Sequence, residues 1–288
     1  MKYEPVSVSA ILNGWVSGEI VRYEASKIPE ILFKMNRGEL SREQLITVIT
    51  VRYQAAHFFE DMLHEMLRIV AKGKYRKGTC WLDPGVIQAF RKAIATNLSD
   101  ELGNVNSYGG GPHREGRKVF LSALGVDYEA WKQPLGTYDS LGKVDEAARS
   151  LIVHLRWIIG HGAIEALAVL WYYECRIALD RRHGDYHILL RAFEGQFPEF
   201  KKPDRSYREG DVLWHLHSHA AHDEYHAKLA ENALSTLEEF PGVWRESMEF
   251  GFQETLCAFE NFWNGLSEQM FGRFNSTEHW GKPPFCAV

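Results

Sequence analysis

A chain of 288 residues can form one large domain or two small ones, and its 45% hydrophobic and 25% charged content is that of a soluble globular fold. A net charge of −5 leaves no basic footprint for nucleic acid, and no apolar run approaches the roughly 20 residues of a membrane span. Met1-Lys2-Tyr3-Glu4-Pro5 lacks the apolar core of a signal peptide, and Cys80, Cys175, Cys257 and Cys286 form no Cys-x-x-Cys pair, so a reduced, cytoplasmic protein is expected.

In chain order, residues 6–36 read as an amphipathic helix around Ile11, Trp15, Ile20, Tyr23, Ile28 and Leu32, interrupted near Pro29. Ser41 with Gln44 three residues on is a capping-box signature. The helix it opens is expected to run from about Arg42 to Ala71, carrying Arg52, Tyr53, His57, Glu60, Asp61 and His64. Asp83-Pro84 starts the next, through Phe90 and Ile94 to Glu101, and Gly103 stops it. The glycine-rich stretch Asn104–Pro112 follows; with no strand before it and no Gly-Lys-Ser/Thr after it, it is not a phosphate cradle.

His113 opens a helix ending near Leu124-Gly125, and Trp131–Gly142 is a linker. A strongly apolar helix is expected from about Val144 to Arg182, then a turn-rich segment with Pro198 and Pro203. A histidine-rich helix from about Asp211 to Leu234 and an aromatic one from Pro241 to about Phe271 complete the elements, with an irregular tail over about 272–288. No run of alternating β-branched residues is convincing. The expectation is one all-α domain over 1–288, with about seven helices. Nine Trp, twelve Tyr and sixteen Phe suggest thick packing and an aromatic-walled pocket.

The chemistry concentrates in Trp214–His226, which holds five of the thirteen histidines. At about 100° per residue, His219, Asp223 and His226 fall within an arc of about 60°, so two imidazoles and a carboxylate share one stripe. Neutral imidazole and carboxylate oxygen are the usual ligands of iron, manganese or zinc. His215 is expected to matter less than His219.

A dinuclear site needs further donors from helix ends or core-facing stripes, where an unpaired charge is costly. Glu101, His113 and Glu174 are the candidates. Each has an alternative: Glu101 a solvated helix-end carboxylate, His113 the residue after a flexible loop, Glu174 a partner of Arg176 or Arg156. Asp61-x2-His64 with Glu60 is a rival half-site, although the ferritin-like pattern requires Glu-x2-His, which is absent from this chain. Glu165, on one face with His161, competes with Glu174, and spacing leaves the choice open.

These blocks resemble the heme-oxygenase-like diiron oxidases and oxygenases, whose fold relatives include pyrroloquinoline-quinone synthase and thiaminase II. The resemblance spans roughly Gly38 to Leu234. It is carried by Gly38-Glu39-Leu40-Ser41-Arg42-Glu43-Gln44-Leu45; by Asn97-Leu98-Ser99-Asp100-Glu101 with His113 and Leu124-Gly125; by Arg156-Trp157, Gly160 and Leu170-Trp171-Tyr172-Tyr173-Glu174; and, most specifically, by His219-x3-Asp223-x2-His226. It implies a heme-oxygenase-like helical bundle and metal ligands Glu101, His113, Glu174, His219, Asp223 and His226, favouring Glu174 over Glu165. Two irons and O₂ as co-substrate would follow. Cofactor-free relatives keep the fold without the ligand set.

Two departures bear on function. Asn104–Pro112 is an insertion between two of the implied ligands. Where the branch that makes p-aminobenzoate from its own tyrosine has that tyrosine and its essential lysine, this chain has Leu32 and Gly184, which argues for an external substrate. The resemblance implies oxidation of a small amine or amino acid, by desaturation, C–C fragmentation or N-oxygenation, or alternatively of a fatty acid. Arg52, Arg156 and Arg176 are candidates for holding a substrate carboxylate, and Tyr225, Tyr173 and His222 for orienting the ligands. A homodimer and an external electron donor are compatible with it. The other readings are a metal- or small-molecule-binding helical protein without turnover, and a cofactor-free hydrolase needing a nucleophile such as Cys175.

Overall fold

From Ala163 to Tyr173 the side chains offer no polar stripe, and a helix apolar all round has to be covered on every side. All of them are buried. The computed structural model describes residues 7–24, 28–76, 78, 80–103, 113–128, 144–178, 183–239 and 244–272, and this helix stands at its centre.

The helices are α1 (Val8–Glu24), α2 (Glu30–Asn36), α3 (Arg42–His57), α4 (Phe59–Ala71), α5 (Pro84–Glu101), α6 (His113–Ala123), α7 (Glu146–Ile159), α8 (Ala163–Ala178), α9 (Asp185–Gln196), α10 (Trp214–Ser235) and α11 (Trp244–Phe271). The central α8 packs against α10 and α11, and also against α4, α5, α7 and α9. Burying each of its large aliphatic or aromatic side chains contributes roughly 1.5–3 kcal/mol. That is the environment into which its charged residues Glu165, Glu174 and Arg176 are forced.

The all-α expectation is met, with more helices than expected, because three long apolar runs are broken. Pro29 separates α1 from α2, a turn at Phe58 separates α3 from α4, and Gly160–Gly162 separates α7 from α8. Gly162 takes φ +156°, and a Cβ there would stand 2.4 Å from Tyr75 Cα, so only glycine fits this joint. The fourth addition is α9, within the segment expected to be turns. Its apolar residues Tyr186, Leu189, Leu190 and Phe193 keep a helical period and are buried, but Gly184 gives no side-chain cap.

Expected helix signals recur in atomic detail. Ser41 Oγ accepts from Gln44 N–H at 3.3 Å, and Gln44 Oε1 accepts from Ser41 N–H at 2.9 Å. Asp83 caps α5 with Pro84 at its first position. Against expectation, a minimal antiparallel ribbon forms from β1 (Lys74–Tyr75) and β2 (Cys80–Trp81). Among the described cysteines Cys80 and Cys175 are free. No described helix is long and apolar enough to cross a membrane. Asn104–Pro112, Trp131–Gly142 and residues 273–288 of the tail lie outside the described residues.

Candidate metal centre

Four helices bring donors inward. Glu101 ends α5, His113 starts α6, Glu174 lies on α8, and His219 and His226 lie on α10; all five are buried. Asp223 shares that helix, but its side chain lies outside the described residues, as does that of His222.

One half of the cluster is Glu101, His113 and His219. His113 Nδ1 is 3.1 Å from Glu101 Oε1, and the His113 and His219 rings lie 4.4 Å apart at 71°. The close approach of α6 to α10 depends on Gly116, where a Cβ would stand 2.7 Å from the Trp214 ring and 3.1 Å from His215 Cβ. The other half is Glu174 and His226, with His226 Nδ1 3.8 Å from Glu174 Oε2. Asn97, one turn before Glu101 on α5, donates through Nδ2 to Glu174 Oε1 at 2.9 Å. Asp100 holds His226 Nε2 at 2.8 Å. Carboxylate–imidazole and amide–carboxylate contacts of this kind fix ring orientation and leave the opposite atoms for a ligand.

A small cavity, with room for about one water molecule, joins the halves, since Glu101, Glu174 and His219 all line it. Its remaining wall is Ala56, Phe59, Tyr173, Tyr186 and one cation, Arg117. Phe59 stacks on Tyr173 at 4.3 Å, and Arg52 Nη1 donates to the Tyr173 hydroxyl at 2.9 Å.

Burial alone would raise the Glu101 carboxyl; His113, then Arg117 and His219, outweigh it and hold the group well below the usual carboxylate range. Burial, reinforced by the neighbouring rings and Arg117, pushes His215 and His219 well below an ordinary imidazole. Both rings are therefore neutral at pH 7 with lone pairs to offer. Glu101 Oε2 is buried with no hydrogen-bond partner. Two buried carboxylates, neutral imidazoles and an orphaned carboxylate oxygen fit a divalent first-row metal ion.

These shifts give the metal-free protein a defined acid response. In the unfolded chain both imidazoles regain their ordinary affinity and take up protons below about pH 6.5 that the folded protein refuses. Stability should fall with pH from there, by on the order of 1.4 kcal/mol per unit for each ring. Glu101, ionised when folded, adds a loss below its ordinary value of about 4.5. Urea midpoints of metal-free protein between pH 7 and 5 measure this; a flat profile would mean that the rings are solvated or charged.

The rival donors do not join the cluster. Glu60 is buried but sits 3.6 Å from Arg117, Asp61 is 3.9 Å from Arg156, and His64 is exposed. Glu165 is buried at the other end of α8, where its Oε1 accepts from Arg76 N–H at 3.0 Å. Among the sequence-selected arginines, Arg176 pairs with Glu19 and Asp185, and Arg156 faces Glu65 and Asp61. Tyr225 is 40% exposed. Cys175 is poorly placed as a nucleophile, because burial, with Glu19 and Glu231 nearby, pushes its thiol up to about 12.

Five contributors were given no role at the site, or a lesser one, in the sequence reading. Arg117 lies one turn beyond His113 on the same helix face, a spacing that could have revealed it. His215 lies four residues before His219, and its Nδ1 is 2.9 Å from the Tyr53 hydroxyl. Asn97 and Asp100 stood in a noticed block without a role. Tyr186 was missed together with its helix.

No family model and no curated protein matches the chain. Among solved structures it is similar to a CADD-like protein of unknown function from Nostoc punctiforme, at 13% identity and a TM-score of 0.56, over 83% of this chain and 86% of that one. At that identity the likeness is one of all-α fold.

Proposed function

We propose that this chain is an O₂-activating non-heme diiron enzyme, related to the heme-oxygenase-like oxidases, that oxidises a small amine or amino acid. The observation that carries the reading is the set of five buried donors from four helices, with Glu101, Glu174 and His219 among them lining one cavity. Glu101, His113, Glu174, His219 and His226, with Asp223 from the same α10 stripe, would hold the two irons. The all-α likeness to the Nostoc protein is compatible with this reading.

When bound, the iron pair would supply the electrons that closed-shell organic molecules deliver to dioxygen only slowly. The chain does the rest. Asn97 and Asp100 fix Glu174 and His226, so the donors need little rearrangement. Phe59, Tyr173 and Tyr186 wall the cavity against water. Burial raises the Tyr173 hydroxyl, against the pull of Arg52, and keeps it protonated.

Arg117 supports the amino-acid reading. It is buried on the cavity wall between the carboxylates of Glu60 and Glu101, at 3.6 Å and 3.7 Å, and its Nε and Nη2 make no hydrogen bond. A guanidinium in that state suits a carboxylate, which it can grip with two parallel N–H donors. An α-amino acid would thus be held by its carboxylate beside the donors.

Anaerobic reconstitution with ferrous iron, metal analysis and oxygen-electrode assays against amino acids, amines and fatty acids test this. About two irons per chain and O₂ uptake accelerated by a carboxylate-bearing amine are expected. Saturation at zero or one iron would sink the dinuclear reading, and acceleration by long-chain fatty acids alone would move the substrate to that class. The compact trio His113, His215 and His219, whose ligand atoms lie within 4.8 Å of one another, supports a second reading. That is a single-ion binding protein without turnover, which would bind one metal and take up no O₂.

A further inference from the structure

We infer that His215 is a seventh metal donor, so that one ion sits in an imidazole-rich subsite of His113, His215, His219 and Glu101 and the other in a carboxylate-rich subsite with Glu174 and His226. The inference rests on the metal-centre reading above and adds to it a residue outside the resemblance.

His215 Nε2 lies 3.2 Å from His219 Nε2. Two neutral rings cannot face each other at that distance with both lone pairs bare; a proton or a cation must lie between them. Neighbouring imidazole nitrogens on one ion, each about 2.1 Å from it, stand about 3.0–3.4 Å apart. The observed spacing is that of two such ligands. His113 completes the trio within 4.8 Å, slightly more than the about 4.2 Å between opposite ligands, so an ion would draw the rings inward.

The other nitrogen of His215 is already engaged. Its Nδ1 is 2.9 Å from the buried Tyr53 hydroxyl, and the Tyr53 and His215 rings meet edge-on at 5.0 Å. With Nδ1–H donating to Tyr53 O, the Nε2 lone pair is presented to the ion; such a contact fixes the tautomer of a metal-bound histidine. Gly116 brings α6 against His215 Cβ itself, so the ring has packing on that side and the cluster on the other. On the α10 wheel His215 lies about 40° from His219 and about 20° from His226. His217, half a turn away, instead lies tilted against Tyr207, with ring centroids 5.3 Å apart.

The test is anaerobic titration of metal-free full-length protein with Co²⁺, following stoichiometry, stepwise affinity and the visible ligand-field bands. The variants are His215→Gln, Tyr53→Phe and Glu174→Gln. Wild type should bind two ions in distinguishable steps. His215→Gln should weaken one step more than about a hundredfold and shift its bands while sparing the other. Tyr53→Phe should weaken that same step about 10–100-fold, as loss of an outer contact does. Glu174→Gln should act on the other step. If wild type binds two ions and His215→Gln leaves isotherm and bands unchanged, His215 is no ligand and the inference falls while the metal centre stands. Should wild type bind no metal, both fall. If His215→Gln does not fold, Tyr53→Phe decides: an unchanged first step overturns the inference.

Discussion

Replacing Glu174 with alanine should lower oxygen-dependent turnover by at least about a thousandfold, roughly 4 kcal/mol of transition-state stabilisation. Glu174 is the one metal donor proposed on α8, and its side chain lies between Asn97 and His226. Alanine removes an anionic ligand and leaves the Asn97 amide facing an apolar gap, a cost of about 1–3 kcal/mol. Relief of the charge of two carboxylates on one cavity offsets part of that cost in the metal-free protein. Helicity should therefore survive, because alanine is the best helix former. Glu174→Gln keeps the Asn97 contact without the charge and should recover folding but not iron. His219→Ala should behave like Glu174→Ala from the other half of the cluster. Far-UV circular dichroism, iron content and O₂ uptake on the same samples settle it; unimpaired turnover in either alanine variant would remove that residue from the iron.

Replacing Arg117 with methionine should cost the metal-free protein about 3–5 kcal/mol, the usual penalty for removing one member of a buried ion pair. Its guanidinium lies 3.6 Å from Glu60 and 3.7 Å from Glu101, and all three residues are buried. Burial already raises the Glu60 carboxyl, with Arg117 opposing; without the arginine it should rise further. Adding Glu60→Gln should recover a measurable part of the loss, a coupling that a double-mutant cycle isolates. Ferrous iron should recover another part, since a cation beside Glu101 replaces the missing one. In turnover the variant should need far more carboxylate substrate while tolerating decarboxylated amines. Urea unfolding with and without metal reads the first effect and a substrate series the second. A loss below about 1 kcal/mol would mean that the three groups exchange with water.

What was legible followed from periodicity and from caps. Ser41 with Gln44, Asp83 with Pro84 and the apolar run through Tyr173 each specify local structure within a few residues, so the start of α3, the whole of α5 and the helical state of the α8 segment could be read directly. The breaks at Phe58 and Gly162 could not, because they answer to tertiary packing. Gly162 is required by Tyr75, which lies far away in sequence. The proposed donors were visible where helical spacing aligns them, as on α10, and where a carboxylate sits among aromatics, as at Glu174. His215 lay on the same stripe and was still discounted, because spacing cannot say that Tyr53 from α3 would grip its far nitrogen. Arg117 was hidden for the same reason, since a lone arginine on a helix is usually solvated.

The close contact at Gly116 bears on how the proposed centre would handle its ions. Since Gly116 lets α6 meet the Trp214 ring and His215 Cβ of α10 directly, the backbone separation of His113 and His219 is set by the frame of the protein, and only the rings adjust to what occupies the gap. The pocket is then a template cut to a size, and metals of similar radius should exchange in it without refolding the chain around each newcomer.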